Sequence, residues 1–195
     1  MVMVPANSPH KTLAELTAAM KQKGDKASYA QSNTTGKVMG DLYRWNGEYE
    51  KAIDWLRRDV PTEGPVADTY IPAVTLPALG AALRQAGRLD EAADALDRAV
   101  VLARRYNLPR ILADALEQQG YLVLEEDPDK AADLLHESLT LRVDHGLRLF
   151  WQDSLDALAL LAEQTNRPKD AERIAQLDLD DAVAYVRRTR GARGR

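Results

Sequence analysis

The chain has 195 residues, of which 45% are hydrophobic and 29% charged, with a formal net charge of −4. That balance predicts a folded chain, and its sign argues against nucleic acid or an anionic membrane as partner of the whole. With no Cys, disulfides, thiolate metal sites and cysteine nucleophiles are excluded, and only His10, His136 and His145 remain as histidine material for a catalytic centre.

Residues 1–10 read as a flexible N-terminus, and Met1-Val-Met-Val-Pro-Ala-Asn-Ser lacks the basic and long apolar segments of a secretion signal. Residues 11–23 read as the second helix of an incomplete repeat. Helices are predicted over 26–45, 48–59, 72–86, 88–106, 109–125, 128–145, 148–165 and 168–176. Pro61–Pro65 is a linker. The longest nearly apolar run, Ile71 to Leu83, is broken by Pro72, Thr75 and Pro77 and falls short of the about 20 residues that span a bilayer. A cytoplasmic protein without membrane contact is the expectation. Pro72 suits a first helical turn. Pro77 lies deeper, so that helix either begins late or kinks. Pro109 opens the helix at 109–125, and Asp144-His145-Gly146 ends the one at 128–145. Asp178 caps a last short helix over 179–190, with Asp181 three residues on and Ala182, Val183 and Val186 on its apolar face. The tail carries five arginines, Arg187, Arg188, Arg190, Arg193 and Arg195, and no acid. Without them, 21 basic residues face 30 acidic ones over 1–186, a net of −9. The body is acidic and the tail basic.

A fixed period runs through the body. Gly40, Gly80 and Gly120 are 40 residues apart, and Ala159 follows 39 later. Ala52, Ala92, Ala131 and Ala171 form a second series, spaced 40, 39 and 40. Leu56, Leu96, Leu135 and Ala175 form a third, and Gly47, Gly87 and Asn166 mark turns, the third repeat being one residue short around Asp127-Pro128. Antiparallel helices that pack closely need small side chains where they cross, and a left-handed turn residue ends the first helix of each pair. A single pair cannot bury its apolar face alone, so successive pairs must stack.

Gly40-Asp-Leu-Tyr43-Arg-Trp-Asn-Gly47-Glu-Tyr49-Glu-Lys-Ala52-Ile-Asp-Trp-Leu56 resembles a tetratricopeptide repeat (TPR), and so does Leu79-Gly80-Ala-Ala-Leu83-Arg-Gln-Ala-Gly87-Arg-Leu89-Asp-Glu-Ala92. The resemblance spans about residues 28–176 and implies an all-α fold, a TPR-like α-solenoid of helix-turn-helix pairs. Three segments follow: the N-terminus at 1–10, a half repeat plus four repeats over 11–176, and a short helix with an arginine-rich connector over 177–195. Leu179-Asp-Asp-Ala-Val-Ala-Tyr-Val-Arg-Arg-Thr-Arg-Gly-Ala-Arg-Gly-Arg195 is similar to the connector before the helix-turn-helix of large actinobacterial LuxR-type transcriptional regulators. In that family a TPR-like array relays a signal between a nucleotide-binding domain and a DNA-binding domain. The sequence here has no phosphate-binding Gly-rich loop and stops where a helix-turn-helix would begin.

In such a stack the first helix of each pair lines the inner face. By TPR position the partner-binding residues are Lys37, Asp41, Arg44, Trp45, Arg84, Gln85, Glu117 and Tyr121, followed by Glu125, Asp156 and Gln164. Arg, Trp and Tyr dominate interface energetics. Trp45 either anchors a partner or packs on the neighbouring repeat, and Phe150-Trp151 is either core or an anchor. Asp41 stands where co-chaperone TPRs have a carboxylate-binding Asn, which argues against chaperone-tail recognition. His136 is expected at the surface, and Glu137 beside it lacks a nearby nucleophile. Glu125-Glu126-Asp127 and Asp178–Asp181 lack the alternating spacing of a calcium loop. The tail arginines can touch phosphates but would give no sequence-specific DNA binding. The reading is therefore a non-catalytic protein–protein interaction scaffold with no cofactor and no metal, bound by a protein or peptide. A small-molecule sensor array and an adaptor that self-associates through its open end are the alternatives.

Overall fold

The computed structural model describes residues 35–64, 67–147, 151–178 and 181–186. The half repeat at 11–23, the residues 26–34 of the first expected helix, Phe150 and the tail arginines lie outside the described residues. The described residues are helical and contain no strand. The helices are α1 (Thr35–Trp45), α2 (Tyr49–Arg57), α3 (Tyr70–Gln85), α4 (Leu89–Arg105), α5 (Pro109–Val123), α6 (Pro128–Asp144), α7 (Trp151–Gln164) and α8 (Pro168–Ala175). A further helical segment covers 181–186.

Each helix packs on the one before it and the one after it. In addition α1 touches α3, α3 touches α5, and α5 touches α7, while the even-numbered helices share no comparable contact among the described residues. The small residues explain the close pairings. A Cβ on Gly80 would lie 2.5 Å from Leu96, and one on Gly120 would lie 2.8 Å from Leu135. One on Gly40 would overlap Leu56 in the same way. Ala52, Ala92 and Ala131 are fully buried beside these crossings, as are the three leucines. Burial of each leucine contributes about 1.5–3 kcal/mol. The fourth pair departs from the expected register. Ala159 and Ala171 are buried, but Ala175 is exposed and Ile174 takes the inner position. Residues three and four apart share a helix face, and here the bulkier apolar neighbour occupies the buried place.

Helix ends follow the local chemistry. Gly47, Gly87 and Asn166 have positive φ, as expected, and so do Asn107 and Gly146. At each of these five ends the next residue's N–H reaches back to the helix, as from Glu48 to the Tyr43 carbonyl at 2.9 Å and from Leu108 to Ala103 at 2.9 Å. Pro109, Pro128 and Pro168 open α5, α6 and α8. The third repeat turns differently: Asp127 caps α6 by accepting from the Lys130 N–H at 3.0 Å. Helix α3 does not begin late; it starts at Tyr70 and continues through Pro77. Asp178 caps the final segment, accepting from the Asp181 N–H at 2.8 Å, with Ala182 and Val186 buried.

Candidate partner-binding face

The odd-numbered helices carry the residues expected to meet a partner. On α1, Lys37, Asp41 and Arg44 share one face because they are spaced by four and three residues. Lys37 Nζ donates to Asp41 Oδ2 at 2.6 Å, and Arg44 Nε lies 3.8 Å from Asp41 Oδ1. Trp45 is 72% exposed and continues an open apolar stripe with Val38 and Leu42. Among the described residues it does not pack on a neighbouring repeat. On α3, Arg84 is half-buried, with its guanidinium 5.1 Å from the centre of the Tyr121 ring on α5. Burial lowers the Arg84 pKa and the nearby charge of Arg44 acts in the same direction, while Tyr121 and Tyr49 oppose them. The Nε atoms of Arg44 and Arg84 are both buried without a hydrogen-bond acceptor. Burial pushes the Tyr121 hydroxyl up to about 12, with Glu117 adding to the rise. Gln85, Asp156 and Gln164 are exposed, whereas Glu125 falls in the turn after α5.

Glu117 corrects the sequence reading. It is only 6% exposed and is turned inward rather than offered to a partner. Its carboxylate accepts from Arg142 Nη1 of α6 at 2.7 Å. Arg142, 2% exposed, also donates to Ser154 Oγ on α7 at 2.8 Å and to Asp114 Oδ1 on α5 at 3.0 Å. Ser138 Oγ completes the cluster, donating to the Ala113 carbonyl at 2.9 Å and lying 3.2 Å from Ser154 Oγ. Burial raises the Glu117 carboxyl to about 7 against the pull of Arg142, with Asp114 and Asp153 adding to the rise. This network spans α5, α6 and α7, and it ties two successive helix pairs together.

Family models find no match in this chain, and no curated protein matches it.

Asp114, Ser138, Arg142 and Ser154 escaped the reading of the sequence. The repeat period itself held the signal. Counting back 40 residues on odd helices α3 and α5, and 39 on the later ones, places Val74, Ala99, Ala103 and Ala115 at the equivalent positions. Four buried apolar sites recur as a carboxylate, two hydroxyls and a guanidinium.

His136 also differs from expectation. It is half-buried, its ring stacked on Tyr185 at 5.3 Å between centroids, with Tyr185 Oη 3.2 Å from Nε2. The ring fastens α6 to the segment over 181–186. Trp55 is half-buried under Arg58, whose guanidinium lies 3.9 Å from the ring centre. Trp151 is half-buried and packs on the α6–α8 core. Among the described residues no group of His, Asp and Glu could hold a metal ion, and no helix is long and apolar enough to cross a membrane.

A second candidate lies away from this face. A cavity of about 550 Å³ opens between α2, α3 and α4, with Leu76, Leu79 and Leu83 on its apolar side and Arg57 and Glu91 among its charged residues. Arg57 Nη2 and Glu91 Oε2 form an ion pair of 2.6 Å. Arg98 reaches into the neighbouring linker and donates to the Pro61 carbonyl at 2.9 Å and to that of Ala67.

Proposed function

We propose that the chain is a non-catalytic protein–protein interaction module, a TPR-like α-solenoid whose odd-numbered helices form the recognition face. The observation that carries this reading is the row of contacts from α1 through α3 and α5 to α7. A helix row of that kind offers a continuous ledge, and repeat arrays use such ledges for binding. Arg44, Trp45, Arg84 and Tyr121 supply the residue types that act as interface anchors. We further propose that the module is the helical relay segment of a LuxR-type transcriptional regulator, working in the cytoplasm. The capped segment after Asp178, which resembles the connector in that family, supports this finer reading.

The test is a pull-down with the wild-type chain and with the Arg44→Ala/Arg84→Ala variant. The expected result is a set of partners retained by the wild type and lost from the variant. Identical partner profiles would remove the assigned face.

The cavity beside Leu76, Leu79 and Leu83 favours one alternative, a small-molecule sensor, because its volume of about 550 Å³ falls in the range of ligand pockets. A metabolite that binds there raises the melting temperature with concentration. Flat melting curves across a metabolite screen count against it.

A further inference from the structure

Helix α2 is nine residues long, whereas α4 and α6, its counterparts in the next two repeats, each have seventeen. Pro61 is the reason. It has no N–H to give the Arg57 carbonyl four residues back, and its ring is excluded from a helix interior. That carbonyl accepts from the Val60 N–H at 3.1 Å instead, and the chain leaves the helix. The last two turns of α4 carry Ala99, Leu102 and Ala103, all buried. One period earlier stand Asp59, Thr62 and Glu63, none of them buried. The first repeat therefore lacks the apolar filling that α4 gives its neighbours: Ile111 is buried in a cluster with Ala103, but its counterpart Ile71 is exposed. The cavity of about 550 Å³ opens where α2 stops, between Pro61 and Thr62 on one side and the α3 leucines and Ala95 of α4 on the other. Most of its charged lining is already engaged. Arg57 pairs with Glu91 at 2.6 Å, and Glu91 also holds Arg88 at 2.7 Å. Arg98 is occupied by the Pro61 and Ala67 carbonyls. Asp94 lines the cavity with no hydrogen bond or ion pair among the described residues, and the Thr62 hydroxyl has none either.

We propose that this cavity is a binding site for a small apolar organic cation, an amine whose hydrocarbon body lies along Leu76, Leu79 and Leu83 and whose ammonium meets Asp94 and the Thr62 hydroxyl. The inference goes beyond the recognition face; it rests on the small-molecule alternative given above and adds the class of ligand. An anion would have to draw a guanidinium away from Glu91 or from the linker carbonyls, whereas a cation reaches Asp94 with no contact to break. Covering leucines takes hydrocarbon, which disfavours a small hydrated ion as occupant. The apolar body supplies most of the affinity. Asp94 is exposed, so its ion pair changes affinity only a few-fold and acts mainly on selectivity.

Isothermal titration of the full chain with phenylbutylamine, phenylbutanol and phenylpentanoate tests this, since the three share an apolar body and differ in the charge of the head. The amine is expected to bind about threefold tighter than the alcohol and about tenfold tighter than the carboxylate, with the gap narrowing as salt rises. Asp94→Asn should bring the amine to the level of the alcohol and leave the alcohol unchanged. Ala95→Phe and Thr62→Trp place bulk in the cavity from α4 and from the linker, and each is expected to weaken all three compounds by about tenfold. Thr62 is exposed, so the second variant serves if the first fails to fold, which circular dichroism checks. If the amine is not preferred, or if its preference survives Asp94→Asn, the cation assignment is wrong; losses with the filling variants would then leave the small-molecule reading standing. A preference for the carboxylate would overturn the assignment in favour of the arginines. If no compound saturates, or if neither filling variant weakens the amine, the cavity is not the site and both readings fall.

Discussion

Two successive junctions between helix pairs fill equivalent sequence positions with opposite chemistry. Where α3 and α4 meet α5, Val74, Ala103 and Ile111 form a small apolar cluster, and Ala99 and Ala115 are fully buried beside it. Where α5 and α6 meet α7, the equivalent positions hold Asp114, Arg142, Ser138 and Ser154, joined by hydrogen bonds of 2.8–3.2 Å. Glu117 occupies the place of Pro77. The lesson is that the repeat fixes where helices cross, through Gly or Ala at the crossing and a leucine opposite. It leaves open what fills the next layer. Apolar and ionic fillings both close the junction, but the ionic one is demanding, because every partner must stay in place.

The difference can be broken first by removing one ion. Arg142→Met leaves Glu117 and Asp114 without their buried counter-charge, and the expected loss is about 3–5 kcal/mol, read by urea unfolding at pH 8. A change of similar size at Ala103, the apolar equivalent, should follow a different rule. Ala103→Met overpacks a dry site and costs about 1–3 kcal/mol, with no dependence on pH.

A second prediction addresses what both junctions share. Gly80→Val sets a side chain against Leu96, where a Cβ alone comes within 2.5 Å. The expected cost is about 1–3 kcal/mol in the same assay. Pairing it with Leu96→Ala should recover part of the loss. No recovery would mean that the glycine is required for something other than the helix crossing.

A third prediction is a pH dependence. The Glu117 carboxyl is raised to about 7, chiefly by burial, so the folded chain keeps a proton that the unfolded chain releases near 4.5. Its contribution is fully present below pH 4.5 and is lost as pH rises through about 7. Urea midpoints measured between pH 5 and 8 should therefore fall with rising pH, and Glu117→Gln should flatten that part of the profile. An unchanged slope in the variant would place the titrating group elsewhere.

Much of the helical layout was legible because Pro and Gly punctuate it. Pro109, Pro128 and Pro168 open helices, Gly47, Gly87, Gly146 and Asn166 close them, and the 40-residue spacing of Gly40, Gly80 and Gly120 marks the crossings. Asn107 closes α4 in the same way, yet an Asn before Leu-Pro reads as ordinary loop until its φ of 51° is seen. The register of α8 was missed because three-residue and four-residue spacings point to the same face, and only side-chain size chose Ile174 over Ala175. The face proposed on α1 and α3 was counted from repeat position; on it Trp45 is exposed and Arg84 is half-buried. Glu117 could not be read as internal from its own helix, since the group that draws it inward, Arg142, is 25 residues away. His136 was likewise set by a distant residue, Tyr185.

The central claim is that the two junctions are built on one repeat and are therefore interchangeable. The direct measurement is unfolding of a variant in which the ionic layer is made apolar like its counterpart: Asp114→Val, Glu117→Leu, Ser138→Ala, Arg142→Met and Ser154→Ala together. The account predicts a helical, cooperatively unfolding chain at least as stable as the wild type at pH 8, since well-packed apolar replacements of buried ion pairs are often neutral or stabilising by about 1–4 kcal/mol. A chain that fails to fold, or that loses more than about 3 kcal/mol, as much as breaking the ion cluster alone, would contradict it.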